Sequence, residues 1–323
     1  MSAIQSPSQA GVVTPGRPAA APPGTEIARS SSRYGDRIVR LLLRAAAWLS
    51  IVITVGIVVS LLVPAVAFFR EVPVLDFLTG TRWAPQFAEA SFGVLPLVTA
   101  TAWTTLIALA VAVPFGLGAA IFLAEYAHAR TRRILKPVLE LLAGIPTVVF
   151  GFFALSFVAP VVLNGWLDLG VGTFSILAAG LVMGVMIIPT VASLSEDAMS
   201  AVPQALRQGS AALGANRMQT SLRVVFPAAI SGIVAAIVLG ISRAIGETMI
   251  VAIAAGARAQ IVSDPTMEGA TMTGFIARMA LGDSRVGSLQ YDTLFAVGLL
   301  LFVLTMIVNL ISIQLVRRFR QEY

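Results

Sequence analysis

The sequence predicts an all-α integral membrane protein of six transmembrane helices. Three observations carry that expectation: an apolar composition, six segments long enough to cross a bilayer, and a one-sided distribution of basic residues. Hydrophobic side chains make up 57% of the 323 residues and charged ones 12%, whereas an ordinary soluble domain is about 25% charged. Such a chain is built for lipid rather than water.

Residues 1–36 are rich in Ser, Pro, Gly and Ala. They bury too little apolar surface to offset the entropy of ordering and are expected as a disordered tail, with residues 37–323 forming the membrane domain. About 20 apolar residues cross the hydrocarbon as a helix, and the stretches 45–69 and 94–124 exceed that without one charged side chain. Spans over 141–163, 171–192 and 293–316 follow on the same criterion. The segment 224–257 is long enough but carries Arg243 and Glu247 inside it. Small residues at Gly180 and Gly184, and at Gly232, Ala236, Gly240 and Ala244, predict close helix approach along the fourth and fifth spans.

Six spans place both termini on one side with the loops at 125–140 and 193–223. That side holds 16 Lys or Arg and the opposite side five, so both termini are expected in the cytoplasm. Glu125 and Tyr126 end the second span beside His128, Arg130, Arg132 and Arg133, where a surface charge network or anchoring to lipid headgroups is expected.

Composition also excludes function classes. The net charge of +6 comes from scattered Arg with no basic stripe alternating with aromatics, which argues against nucleic acid. Cysteine is absent and His128 is the only histidine, removing disulfides, thiolate metal sites and thiol nucleophiles. No GxxxxGK[ST] loop occurs, so any nucleotide hydrolysis must reside on another chain, and this one is expected to be no enzyme and to carry no cofactor.

Function concentrates in two places. The first is the polar stretch 193–223 between the fourth and fifth spans, patterned as two short helices. Ser193-x-x-Glu196 has capping-box spacing, Pro203 suits a helix start, Gly214 suits a left-handed stop after Gln204–Leu213, and Asn216 suits the cap of a second helix through Arg223. The second is Gly240–Met249. Arg243 and Glu247 are four residues apart, hence expected on one helix face and in an ion pair. A guanidinium offers planar forked donors that match a tetrahedral oxyanion, while the alternative is a structural pair pinning two helices. Thr248 is a third candidate, with bonding to its own backbone as the alternative.

Arg243-Ala-Ile-Gly-Glu247-Thr248-Met249 resembles the RAxGETM signature of phosphate ABC transporter permeases. Gly144-Ile-Pro-Thr-Val-Val-Phe-Gly151 resembles their IPSVVYG segment, and Phe92–Pro96 with Ala120–Tyr126 resembles the stretch that opens and closes their second span. Gln208-Gly209-Ser210, Gly214 and Val224-x-Phe226-Pro227 stand at the spacing of the EAA motif of ABC importer permeases. The Gly and Pro match, while Gln208 replaces the usual Glu and Gly209 and Ser210 replace its alanines. The resemblance runs from about residue 37 to 320 and is nearer to PstC than to PstA subunits.

The resemblance implies an ABC importer type I permease fold in the bacterial inner membrane. It implies a heterodimer with a PstA-like permease, a PstB-like ATPase dimer that binds ATP and Mg, and a PstS-like protein delivering phosphate from outside. Arg243, Glu247 and Thr248 would lie on the translocation path. Gln208 and Gly214 would belong to a cytoplasmic coupling loop that docks on the ATPase. By its position alone, apart from the resemblance, the outer segment 258–292 is a mixed-charge surface expected to receive a soluble binding protein. Three alternatives stay open from the residues alone: a sulfate or molybdate permease, since a guanidinium does not distinguish tetrahedral oxyanions; a secondary transporter, which would show an internal repeat; and a membrane scaffold with a purely structural Arg243–Glu247 pair.

Overall fold

The structure, a computed structural model, describes residues 33–282 and 285–319. Most of the expected tail lies outside them, and helix α1 (Arg33–Glu71) already begins at Arg33. By compactness the chain divides after Gly56. The first unit supplies the leading part of α1, whose Leu41, Leu43 and Trp48 are exposed, as suits a helix solvated by lipid.

In the second unit the rest of α1 is followed by α2 (Val74–Thr79) and a two-stranded antiparallel hairpin, β1 (Trp83–Ala84) and β2 (Ser91–Phe92). Then come α3 (Leu95–Ile121), which widens to a π-turn over Phe122–Tyr126, and the surface helix α4 (Ala129–Ala143). Next are α5 (Thr147–Phe153), continuing as a π-helix to Trp166, and α6 (Ile176–Ser200). Beyond it lie α7 (Gln204–Ala212), α8 (Arg217–Thr220), α9 (Phe226–Ala228), α10 (Ile230–Ile245), α11 (Met249–Ala254), α12 (Met272–Leu281) and α13 (Leu289–Phe319). Among the described residues five helices are long and apolar enough to cross a membrane, or six if the bent stretch Arg217–Ala228 and Ile230–Ile245 counts as one span.

Helix α6 is the centre of the bundle: 67% of its most apolar window is buried, against 11% for α1 and α13. It reaches that position because glycines let backbones approach. A methyl placed on Gly184 would meet Val111 Cβ at 2.7 Å and the Ala108 carbonyl at 2.9 Å, and one on Gly180 would meet Ile107 Cβ at 2.8 Å. The predicted small-residue stripe of the fifth span packs on the same helix, Gly232 against Ala198 and Gly240 against Ile187 and Val191. At the hairpin end, Phe68, Phe77, Trp83 and Phe275 form a separate apolar cap of edge-to-face rings, with Trp83 and Phe275 5.0 Å apart.

Three boundaries differ from the sequence reading. The third span begins at Thr147 rather than 141, because Gly144-Ile-Pro146 breaks the chain and Leu141 belongs to α4. The fourth span runs through Ser200, so Ser193-x-x-Glu196 caps nothing and the loop after it begins near residue 201. The fifth span is no single helix: it bends by 72° at Ala229 and breaks again at Gly246–Thr248.

Glu196 is fully buried, and α4 covers it. Arg132 donates to its Oε1, Lys136 Nζ to its Oε2 at 2.8 Å, and Lys136 also to Asp197 at 2.6 Å. Hydrogen bonds from Lys136 to Asp197 and Glu196 hold its pKa above the ordinary lysine value. The resulting stabilisation is complete below that ordinary value and fades only as pH rises through the raised one, so it is constant across neutral pH.

Two stability predictions follow from this packing, both read by thermal unfolding in detergent. Gly184→Ala destabilises by about 1–3 kcal/mol through overpacking, whereas Gly118→Ala in α3, with no atom within 4 Å of an added methyl, is neutral or mildly stabilising. The double variant Arg132→Met, Lys136→Met strands a buried carboxylate and costs about 3–5 kcal/mol. Glu196→Gln costs less, because the two cations it leaves are partly exposed and rehydrate.

Candidate functional site

Helix α10 ends at Ile245 with Gly246 as its C-cap, and α11 starts again at Met249. Glu247 therefore lies outside the helix that carries Arg243, and the i, i+4 geometry expected of the pair does not arise. No ion pair joins them among the described residues. Glu247 instead turns to the start of α11, where its Oε1 accepts from the amides of Met249 at 3.0 Å and Ile250 at 3.3 Å. These are donors that a helix start leaves without an intrahelical partner, and a carboxylate is the best acceptor for them. Its carbonyl accepts from Thr273 at 2.6 Å, tying the break to α12.

Arg243 is half-buried on α10 and its Nη1 donates to Thr190 Oγ1 of α6 at 3.1 Å. A guanidinium carries five N–H donors, and a hydroxyl satisfies one of them while neutralising no charge. A cation in a membrane span without a carboxylate needs another anion or water. Thr248 donates to the Gly246 carbonyl at 3.2 Å, so its hydroxyl proton is engaged within the break. The structure thus joins Arg243 with Thr190, a residue the sequence reading did not single out, and separates it from Glu247.

The second site forms as the spacing indicated. Pro203 precedes α7, Gly214 adopts φ +82° just beyond it, and Asn216 caps α8 in a reciprocal box with Gln219 at 2.8 and 2.9 Å. Gly is needed at 214 because L side chains rarely adopt that φ. Gln208 is exposed on α7, and Leu213 at its end is 90% exposed, an apolar knob on a polar loop. Between α7 and the next turn lies an open groove of about 620 Å³ lined by Leu206, Gly209, Ser210, Leu213 and Arg223.

What holds α7 is a residue that sequence reasoning passed over. The Arg207 guanidinium donates to Glu125 at 2.9 Å, to the Met199 carbonyl at 2.8 Å and to the Val202 carbonyl at 2.5 Å. It ties the end of α3 and the end of α6 to the loop helix, with only 15% and 10% of the two paired side chains exposed. Glu125 thus belongs to a buried anchor rather than to a surface network. Its signal in the sequence was faint: an isolated carboxylate at the end of an apolar span and an isolated arginine 82 residues later.

A family model described as the binding-protein-dependent transport system inner membrane component matches residues 112–321. The probable ABC transporter permease protein YqgH of Bacillus subtilis is 37% identical over 268 residues, covering 82% of this chain and 86% of that protein. The phosphate transport system permease protein PstC 1 of Mycobacterium tuberculosis is 36% identical over 279 residues, 76% of this chain and 82% of that one. PstC of Mesorhizobium japonicum is 31% identical over 300 residues, 86% and 88% of the two chains. Among solved structures, a chain of the bacterial alginate ABC transporter in complex with an alginate-bound periplasmic protein aligns with TM-score 0.61 at 16% identity, over 89% of this chain and 98% of that one. A chain of the MetNI methionine ABC transporter aligns with TM-score 0.53 at 20% identity, over 71% and 95%. At such identities the likeness is one of fold, the ABC importer type I permease. The chain belongs to the binding-protein-dependent transport system inner membrane component family.

Proposed function

We propose that this chain is the membrane-spanning subunit of an ATP-driven importer that carries inorganic phosphate into the cytoplasm. The observation that carries the reading is Arg243: a cation within a span, held by one hydroxyl and left without a carboxylate partner among the described residues. Forked charged donors in that setting suit a transiting oxyanion. The substrate comes from the names of several relatives, which are phosphate transport system permeases matching most of this chain's length; sulfate or molybdate is the alternative.

In this reading Arg243 and Thr190 contact the anion. Glu247 acts as a positioning residue that shapes the break, and Thr248 contributes its oxygen there. The partners are a PstA-like permease, a PstB-like ATPase dimer that holds ATP and Mg, and a PstS-like phosphate-binding protein. The chain itself has no ATPase site, and both termini face the cytoplasm. Helix α7, with Gln208 and the Leu213 knob, docks on the ATPase, and Gly214 sets the turn behind it. Arg207 then makes α7, α3 and α6 move as one body, which is how force below becomes helix movement above.

Two outcomes are expected of the complex reconstituted in liposomes. Arg243→Gln lowers ATP-dependent phosphate uptake about 10- to 100-fold, the equivalent of the ~1.5–3 kcal/mol of a charge-assisted hydrogen bond. Unchanged uptake by an intact mutant complex would count against the pathway role. Arg207→Gln raises the ATP hydrolysed per phosphate imported several-fold, and Arg207→Lys falls between, because a point charge keeps the Glu125 contact but not the fork to both carbonyls. A normal ratio in Arg207→Gln would remove the coupling role.

A further inference from the structure

At the hairpin end of the molecule, remote from α7, the residues Trp83–Phe87, the segment Ala257–Ala259 and helix α12 enclose a hollow of about 600 Å³. Among its polar side chains Arg258, Arg278 and Trp83 can only donate, and Gln86 alone also carries an acceptor oxygen. Arg278 is half-buried and, among the described residues, its guanidinium reaches only the Gly256 carbonyl, at 3.3 Å. Arg258 at the rim is exposed and forms no ion pair among the described residues. Trp83 is 6% exposed and its Nε1 has no acceptor among the described residues. Among the described residues the Gln86 amide nitrogen donates only to the Met279 sulfur, at 3.2 Å, a weak acceptor.

Glu268, whose carboxylate lies beside Gly256, makes no ion pair with Arg278. Burial pulls the Arg278 pKa below the ordinary arginine value, as expected where a cation loses water without gaining a counter-ion. Helix α12 is too short to span a membrane. A half-buried guanidinium with unused donors and an orphan indole N–H in the same wall call for an anionic acceptor.

Size decides what kind. A water takes ~30 Å³ of liquid and a five-atom oxyanion roughly a few times that, which leaves most of the hollow unfilled. The remaining wall is apolar, with Pro85, Phe87, Phe275 and Met279 its largest side chains, so the occupant must bring apolar atoms as well as charge. Trp, Phe, Met and Arg around a concave centre is the composition of a protein-docking hot spot. The family is binding-protein-dependent, and under the orientation proposed above this end faces outward.

We propose that the hollow receives an acidic side chain and an apolar neighbour from a surface loop of the soluble binding protein, the carboxylate against Arg278 and Arg258 and the apolar group against Phe275 and Trp83. The inference rests on the importer reading and names the point of contact that reading leaves open.

The test uses the assembled transporter in nanodiscs and a purified PstS-like phosphate-binding protein. Arg258→Glu, a surface change that leaves the fold intact, and Arg278→Gln each weaken binding at least tenfold, and the wild-type affinity falls steeply with salt. Arg70→Glu, an exposed outer arginine that does not line the hollow, changes affinity less than threefold by comparison. The chain has no cysteine, so Phe87→Cys carries a unique thiol; a photoreactive maleimide there crosslinks the binding protein at a segment containing Asp or Glu. Equal affinity in wild type, Arg258→Glu and Arg278→Gln overturns the docking site and leaves the importer reading standing. A wild-type complex that neither binds the protein nor imports phosphate overturns both. If inorganic phosphate alone shields the Phe87→Cys thiol from maleimide and the binding protein does not, the hollow is a small-ion site and the proposal falls.

Discussion

The backbone contact between α3 and α6 is the constraint on which the rest of the molecule depends. In lipid there is no hydrophobic drive between helices, so association rests on dispersion at close range. That range is set here by Gly180 and Gly184, where even a methyl would collide with the facing helix. With α6 fixed against α3, its Thr190 meets Arg243, its Glu196 receives α4, and its last carbonyls receive Arg207. Each functional element is thus placed relative to one central helix.

The charges follow from that placement. Glu196 is tolerated in a buried position because two cations and the Ser200 hydroxyl surround it. Glu247 is tolerated because a broken helix supplies backbone amides. Arg207 is satisfied three times over, by a carboxylate and two carbonyls. Arg243 and Arg278 differ: each has a single neutral partner among the described residues, and each is the half-buried cation of its region. A charge that the fold leaves incompletely matched is available to something that arrives, and the two proposals made for this molecule rest on those two residues.

Helix breaks supply the remaining machinery. The chain breaks its fifth span at Ala229 and at Gly246–Thr248, and Gly144–Pro146 separates the surface helix α4 from the third span. Non-helical backbone at membrane depth is acceptable only where protein covers it. The Glu247 carboxylate and the Thr273 hydroxyl provide that cover at the last break.

Much of this was legible in the chain itself. Composition and apolar runs determined the class and the existence of the spans, because crossing hydrocarbon imposes a length that sequence displays directly. The α7–α8 unit was legible for a similar reason: Pro203, Gly214, Asn216 and Gln219 act on their own neighbours, so local chemistry decides the outcome. What only the tertiary structure decided was pairing across distance. The Arg243–Glu247 pair looked secure by spacing, yet the start of α11 offered Glu247 two amides and Gly246 removed the shared helix face. Arg207 with Glu125, Arg132 and Lys136 with Glu196, and Arg243 with Thr190 join residues 53 to 82 positions apart. Spacing along a chain fixes neighbours within a helix; which helices meet depends on where glycines allow backbones to close, and that is decided only when the bundle packs.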